Sequence, residues 1–177
     1  MRILSIALAL AGMLAPARAT TLQKLGLDEI IRKSTAIVRA KVLGSAGAMR
    51  GQDIYTCYQL QILEDFKSAG VRQMEVAVPG GSARGLRQIV AGAPVLTAGD
   101  EYVFFLWTSP SGLTQVIGLS QGLFSVERNA AGDPVVARRA ASELMLDKSG
   151  HVVTDQAILM RLSDLRARVQ KTLSPGK

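Results

Sequence analysis

A chain of 177 residues with 48% apolar and 20% charged residues has the size of one domain with flanking segments, and is too apolar to stay disordered. One cysteine (Cys57) and one histidine (His151) exclude an internal disulfide framework and any metal site built from several His or Cys ligands. The formal charge of +7 directs attention to acidic partners.

Met1-Arg2 gives a positive start, residues 3–14 are all apolar or small, and Pro16 breaks the run. Ala17-Arg18-Ala19 then fits the small-x-small pattern of a signal-peptidase site. The run is too short for the roughly 20 residues that span a bilayer. Residues 1–19 are therefore expected to be an export signal, with the mature chain starting at Thr20 and sent to the periplasm or beyond. No transmembrane segment is expected after signal cleavage. Loss of Arg2 and Arg18 leaves 19 basic residues against 14 acidic ones, a charge of +5. In an exported chain that favours a protein face or an anionic envelope polymer as partner, and not nucleic acid.

Leu22, Leu25, Leu27, Ile30 and Ile31 recur with helical spacing, and Asp28 and Glu29 suit a first turn. This predicts a short helix over 27–33. Residues 36–43 alternate in strand fashion, and the Gly, Ala and Ser of 44–52 predict a loop. A long strand follows over 53–66, with Tyr58, Leu60 and Ile62 on one face and Gln59 and Gln61 on the other. Residues 72–78 repeat the pattern with Met74, Val76 and Val78 inward. Residues 79–94 form the least regular stretch, an expected connector with Gly80, Gly81, Gly85 and Gly92 among Arg84, Arg87 and Gln88. Four of the eight aromatics fall in 101–107, apolar on both faces, which predicts a central strand. Residues 113–119 and 122–126 are an extended pair around a bend at Gly118-Leu-Ser-Gln-Gly122. Turns over 129–133 and 147–150 precede short strands at 135–136 and 151–153. The chain ends in a helix expected over 155–173, with Ile158, Leu162, Leu165 and Val169 as its buried stripe.

Several short strands with Gly-rich turns predict a mainly-β fold, a five-stranded antiparallel OB-like barrel with a short N-terminal helix and a C-terminal α-helix. A β-sandwich is the alternative. The barrel domain is expected over 20–154 with extra hairpins, and the helix and tail over 155–177. Ala36-Ile-Val-Arg-Ala-Lys-Val, Tyr58-Gln-Leu-Gln-Ile-Leu-Glu-Asp-Phe-Lys and Gly99-Asp-Glu-Tyr-Val-Phe-Phe together resemble, in strand order and spacing, the OB-like inhibitory domain of tissue inhibitors of metalloproteinases. The resemblance covers residues 30–126 and implies the barrel. It also implies inhibition of a secreted metalloprotease through the N-terminal residue. That family uses an N-terminal Cys and disulfides there, whereas Thr20 stands at this N-terminus and Cys57 is the sole cysteine. The stretch from Pro79-Gly-Gly to Gly118-Leu-Ser-Gln-Gly resembles exported bacterial proteins, a likeness that implies no activity.

Gly118-Leu-Ser-Gln-Gly122 matches the Gly-x-Ser-x-Gly nucleophile elbow, which would make Ser120 a hydrolase nucleophile with His151 as base. The elbow needs a following helix, and residues 123–126 are extended in pattern. Glu64-Asp65 and Asp100-Glu101 are adjacent acidic pairs whose members point to opposite strand faces, so neither is a dyad by itself. The expected site is the glycine-rich connector, where Gly80 and Gly81 would allow close backbone approach and Arg84 and Arg87 would meet carboxylates or phosphates. No cofactor, no metal and no catalytic residue are expected. The sequence thus predicts an exported, non-catalytic binding or interaction module. The alternatives are an inhibitor of a secreted metalloprotease and a small serine hydrolase using Ser120.

Overall fold

The computed structural model describes residues 21–174, so the expected export signal and Thr20 lie outside the described residues. Thr21–Gln23 (β1) leads into the helix Leu27–Lys33 (α1). Its Asp28 and Glu29 sit in the first turn and its Arg32 and Lys33 in the last, matching the helix dipole. Ala36–Arg50 (β2) and Asp53–Lys67 (β3) then form one long hairpin that turns at Gly51 and Gln52. The loop expected over 44–52 is therefore corrected: the ladder runs on to Arg50↔Asp53. Small residues in 44–48 signal a loop by composition, yet here they continue the strand, and Gly47 leaves room for the Ser82 backbone on top of it.

Gln73–Pro79 (β4) pairs with β3, and Met74, Val76 and Val78 point inward as the alternation predicts. Glu101–Thr108 (β7) is the central strand, with β2 on one edge. Its other edge is shared by Thr114–Val116 (β8) and Leu123–Arg128 (β9), which pair with β7 and not with each other. Pro134–Arg138 (β10) and Ile158–Arg161 (β13) extend the sheet to the order β13-β10-β9-β7-β2-β3-β4, with β8 beside β7. A separate small sheet joins β1 in parallel to Leu144–Leu146 (β11), which pairs with Val152–Val153 (β12). The final helix is Leu162–Leu173 (α2).

Period-2 alternation places the core on both faces of this curled sheet. Val38, Ala40, Val42, Leu60, Val76, Phe104 and Leu106 fill its inner face. Ile37, Val103, Phe105, Phe124 and Val136 meet Ile30 and Ile31 of α1 and Leu162, Leu165 and Val169 of α2 on the outer face. Each fully buried leucine or isoleucine here contributes on the order of 1.5–3 kcal/mol. The apolar run of β7 thus matches a strand covered on both sides.

The fold is mainly β with two helices, as expected, but no closed barrel forms. β4 and β8 lie side by side without a shared ladder. β4 ends at Pro79, which has no N–H to donate, and β8 is only three residues long. The final helix is also shorter than the 155–173 expected. Ile158–Arg161 is a strand on β10, from Arg138↔Ile158 to Val135↔Arg161. Asp155 would suit a helix N-cap, but its carboxylate accepts hydrogen bonds from Arg138 and from the Ala141 N–H.

Candidate functional site

The connector after β4 is a built element. Arg84 (φ 51°) and Gly85 (φ 76°) both take left-handed backbone, the geometry of a two-residue hairpin turn that matches strand twist. They join Gly81–Ala83 (β5) to Leu86–Gln88 (β6). The hairpin lies on the far arm of β2–β3. The Gly80 N–H donates to the Ile54 carbonyl at 2.7 Å, Thr56 Oγ1 donates to the Gly80 carbonyl at 2.9 Å, and the Ile54 N–H donates to Gln88 Oε1 at 2.6 Å. A Cβ on Gly47 would lie 1.8 Å from the Ser82 carbonyl oxygen, and one on Gly81 would lie 2.2 Å from Thr56 Oγ1. Gly80 and Gly81 therefore approach the chain's own sheet. Arg84 and Arg87 are exposed, and neither makes an ion pair among the described residues.

Beyond the hairpin, residues 90–97 cross the open mouth of the curled sheet. Leu96 is buried in the inner core with Ala93 packed beside it, and the Leu96 N–H donates to the Tyr58 hydroxyl at 3.3 Å. The whole stretch 79–99 is thus a cap on the sheet.

Under one side of this cap lies a cleft of about 660 Å³, between residues 92–97, β9, β10 and residues 139–143. Its polar lining includes the hydroxyls of Tyr102, Ser120 and Ser125, the carboxylates of Glu127 and Glu143, and the guanidinium of Arg139. The single Ser125 hydroxyl proton is shared between the Ala137 carbonyl at 3.2 Å and Glu127 Oε1 at 3.1 Å, which fixes the strand face. The Tyr102 hydroxyl accepts from the Thr97 N–H and reaches Asp100 Oδ2, both at 3.4 Å, tying the cap to β7. Glu143 packs under Gly92, where a Cβ would come within 2.9 Å of the carboxyl carbon. Arg139 is exposed and makes no ion pair among the described residues.

Its neighbour Arg138 is buried and paired with Asp155, Nη2 to Oδ1 at 2.8 Å. Burial pushes the Asp155 carboxyl up, but the N–H groups of Ala141 and Gln156 and the Arg138 guanidinium outweigh it and hold the group below its ordinary value. Because Asp155 also accepts from Ala141, the pair sets the path of residues 139–141 along the cleft rim. No short motif announces Arg138 and Asp155: they lie 17 positions apart on different elements.

Ser120 lies in a 3₁₀ turn over Leu119–Gly122 and borders the cleft. Gly118 and Leu119 both have positive φ, so the bend itself agrees with the sequence. No histidine or lysine lines the cleft, and His151 sits in the turn before β12, its Nδ1 3.4 Å from Asp147 Oδ2. The next residue, Gln121, is buried: Oε1 accepts from the Leu25 N–H at 2.9 Å and Nε2 donates to the Gln23 carbonyl at 3.0 Å. This clamp on the N-terminal segment has no signature in the sequence.

The adjacent acidic pairs divide as alternation requires. Asp65 accepts from the Ala69 and Gly70 N–H groups and closes the turn after β3. Glu64 and Glu101 instead converge on Arg39 from different strands, and Glu64 also meets Arg166. Cys57 is buried, and burial first, then the Glu75 carboxylate, pushes its thiol up. Among the described residues no cluster of His, Cys, Asp and Glu is arranged to hold a metal ion, and no helix is long and apolar enough to cross a membrane. Elsewhere, Trp107 divides two apolar hollows of about 300 and 400 Å³. No family model, curated protein or solved structure matches the chain.

Proposed function

We propose that the chain is an exported, non-catalytic binding module that holds a polar, anionic ligand in the cleft beneath the cap. The observation that carries this reading is the cleft itself: a free guanidinium on Arg139 beside hydroxyls held in place by their own hydrogen bonds. Its size falls within the range of ordinary ligand pockets. The positive overall charge favours an acidic protein face or an anionic envelope polymer as the source of that ligand. The body of the module is an OB-like barrel left unlaced at one seam. In support, the cyclic order β8-β7-β2-β3-β4 brings β4 back beside β8. Such barrels present ligands on a strand face and its flanking loops. Ser120 enters as a hydroxyl donor, since no histidine or lysine lines the cleft beside it.

The test is ligand titration by thermal shift and calorimetry with acidic peptides and anionic oligosaccharides. Ala137→Trp, which fills the cleft from β10, should abolish binding, and Arg139→Ala should weaken it about tenfold or more, as loss of a charge-assisted bond does. Binding unaffected by both substitutions would remove the cleft from the account. Covalent labelling of Ser120 by a serine-directed phosphonate would replace the reading with hydrolysis.

A further inference from the structure

We infer that the cap hairpin is a docking element for an anionic lipid surface, separate from the cleft. Leu86 is 58% exposed and Ile89 is 80% exposed, although Leu96, a few residues on in the same cap, is buried. An isolated exposed aliphatic is ordinary, but these two flank and follow Arg87, next to Arg84 at the hairpin tip. From Val76 to Gly99 the sequence contains two arginines and no Asp or Glu. The tip position of Arg84, at φ 51°, is one where Asn or Gly is the ordinary choice. The chain therefore keeps a cation where backbone geometry disfavours a long side chain. Anionic lipid suits this combination: headgroups meet the guanidinium groups while the aliphatic side chains enter the headgroup–acyl boundary. The tip of a two-residue hairpin turn is convex and carries no aromatic, so it offers no pocket for a protein's anchoring side chains, whereas a deformable lipid surface needs none. Anchoring by Gly80, Gly81 and Gln88 onto β2–β3 holds the tip in place, so little ordering is needed on contact.

The experiment is co-sedimentation of chain beginning at Thr20 with vesicles of pure phosphatidylcholine and of phosphatidylcholine mixed with phosphatidylglycerol. Binding should require phosphatidylglycerol and fall as salt rises. Each of Arg84→Ala and Arg87→Ala should weaken it about fivefold, the size of one basic side chain near an anionic surface. Leu86→Ser with Ile89→Ser should remove it even at low salt. Ile89→Trp should show a blue-shifted emission quenched by brominated lipid. Ala137→Trp should leave vesicle binding unaltered, which separates this inference from the cleft reading. Absence of binding to anionic vesicles would overturn the proposal. So would binding lost with the arginines but indifferent to Leu86 and Ile89, which would mark a soluble anionic polymer as partner. Capture of a protein through the hairpin without vesicle affinity would overturn it as well.

Discussion

Arg138 and Asp155 face each other at 2.8 Å with side chains 6% and 3% exposed, and this pair decides where the last strand lies. Asp155 binds back to Arg138 and Ala141, so the chain after it continues extended and adds β13 to the sheet before α2 begins. The same contact holds the rim of the cleft beside Arg139. Arg138 Nε has no partner in this buried setting, so Asp155 is the group that balances its charge.

Asp155→Ala should therefore destabilise the fold by about 3–5 kcal/mol, because it leaves a buried cation uncompensated. Denaturant unfolding measures this directly. The acid limb of the stability profile has a fixed sign. The carboxyl's folded value lies below its ordinary 3.8. The ionised group thus stabilises the fold at pH above that ordinary value, and the contribution fades as pH falls through the lower, folded value. Asp28 and Asp147 are lowered in the same direction, Asp28 first by its hydrogen bond from Arg168 and Asp147 first by the His151 N–H. Asp155→Asn should flatten the loss of stability below about pH 4 in part, not wholly. An unchanged acid limb in that variant would show that the pair does not titrate with folding.

Gly47 is exposed yet has no room for a side chain. Its missing side chain is the space occupied by the Ser82 backbone. Gly47→Ala should cost about 1–3 kcal/mol, since the obstacle is main chain and cannot rotate away. Gly44→Ala, with nothing within 4 Å of the added carbon, is the control and should be nearly neutral. Equal melting temperatures for the two variants would mean that the hairpin does not rest on β2 in solution.

Local periodicity made most of the framework legible. The helix over 27–33, the inward faces of β3 and β4, and the doubly buried β7 all follow from the spacing of apolar residues within one segment. The failures share a different cause. Gly44 to Ala48 carry no strand signal because all five are small, and at Gly47 the missing side chain admits a layer from far along the chain. Residues 158–161 match a helical stripe as well as a strand, and only the Asp155 contact selects the strand. The site divides in the same way. Arg84 and Arg87 were visible as cations without acidic neighbours, whereas Gly80 and Gly81 turned out to face the sheet. The cleft leaves no mark in the sequence because Thr97, Ser125 and Arg139 come from three segments that no single window of sequence contains.

The outer-face core should be most sensitive where α2 meets the sheet. Leu165 is wholly buried in the outer-face core, so Leu165→Ala should cost about 2–5 kcal/mol. Leu159→Ala, on β13 and 74% exposed, should change stability by less than about 0.5 kcal/mol. Urea denaturation of the two variants checks both. A large loss at Leu159 with none at Leu165 would place the helix on the wrong face of the sheet.

Gln121 makes the N-terminal segment part of the fold. Its amide accepts from Leu25 and donates to Gln23, while Lys24 between them donates to the Leu146 carbonyl and its Nζ to the Thr154 carbonyl. Four hydrogen bonds therefore hold the segment around β1, whose parallel pairing of three residues with β11 would be weak alone. Gln121→Ala removes the central anchor and leaves the Leu25 N–H without a partner, a loss of about 1–3 kcal/mol. Gln121→Glu keeps the acceptor for Leu25 but sets a carboxylate oxygen against the Gln23 carbonyl, so it should rescue little. Local opening makes the effect larger at the N-terminus than globally. Trypsin should cut after Lys24 much faster in both variants than in the parent chain, at a temperature where the core remains folded. N-terminal sequencing of the product would identify Leu25 as the new first residue. Equal cleavage rates in parent and variants would show that β1 is held without Gln121, and that its burial serves the bend at Gly118 alone.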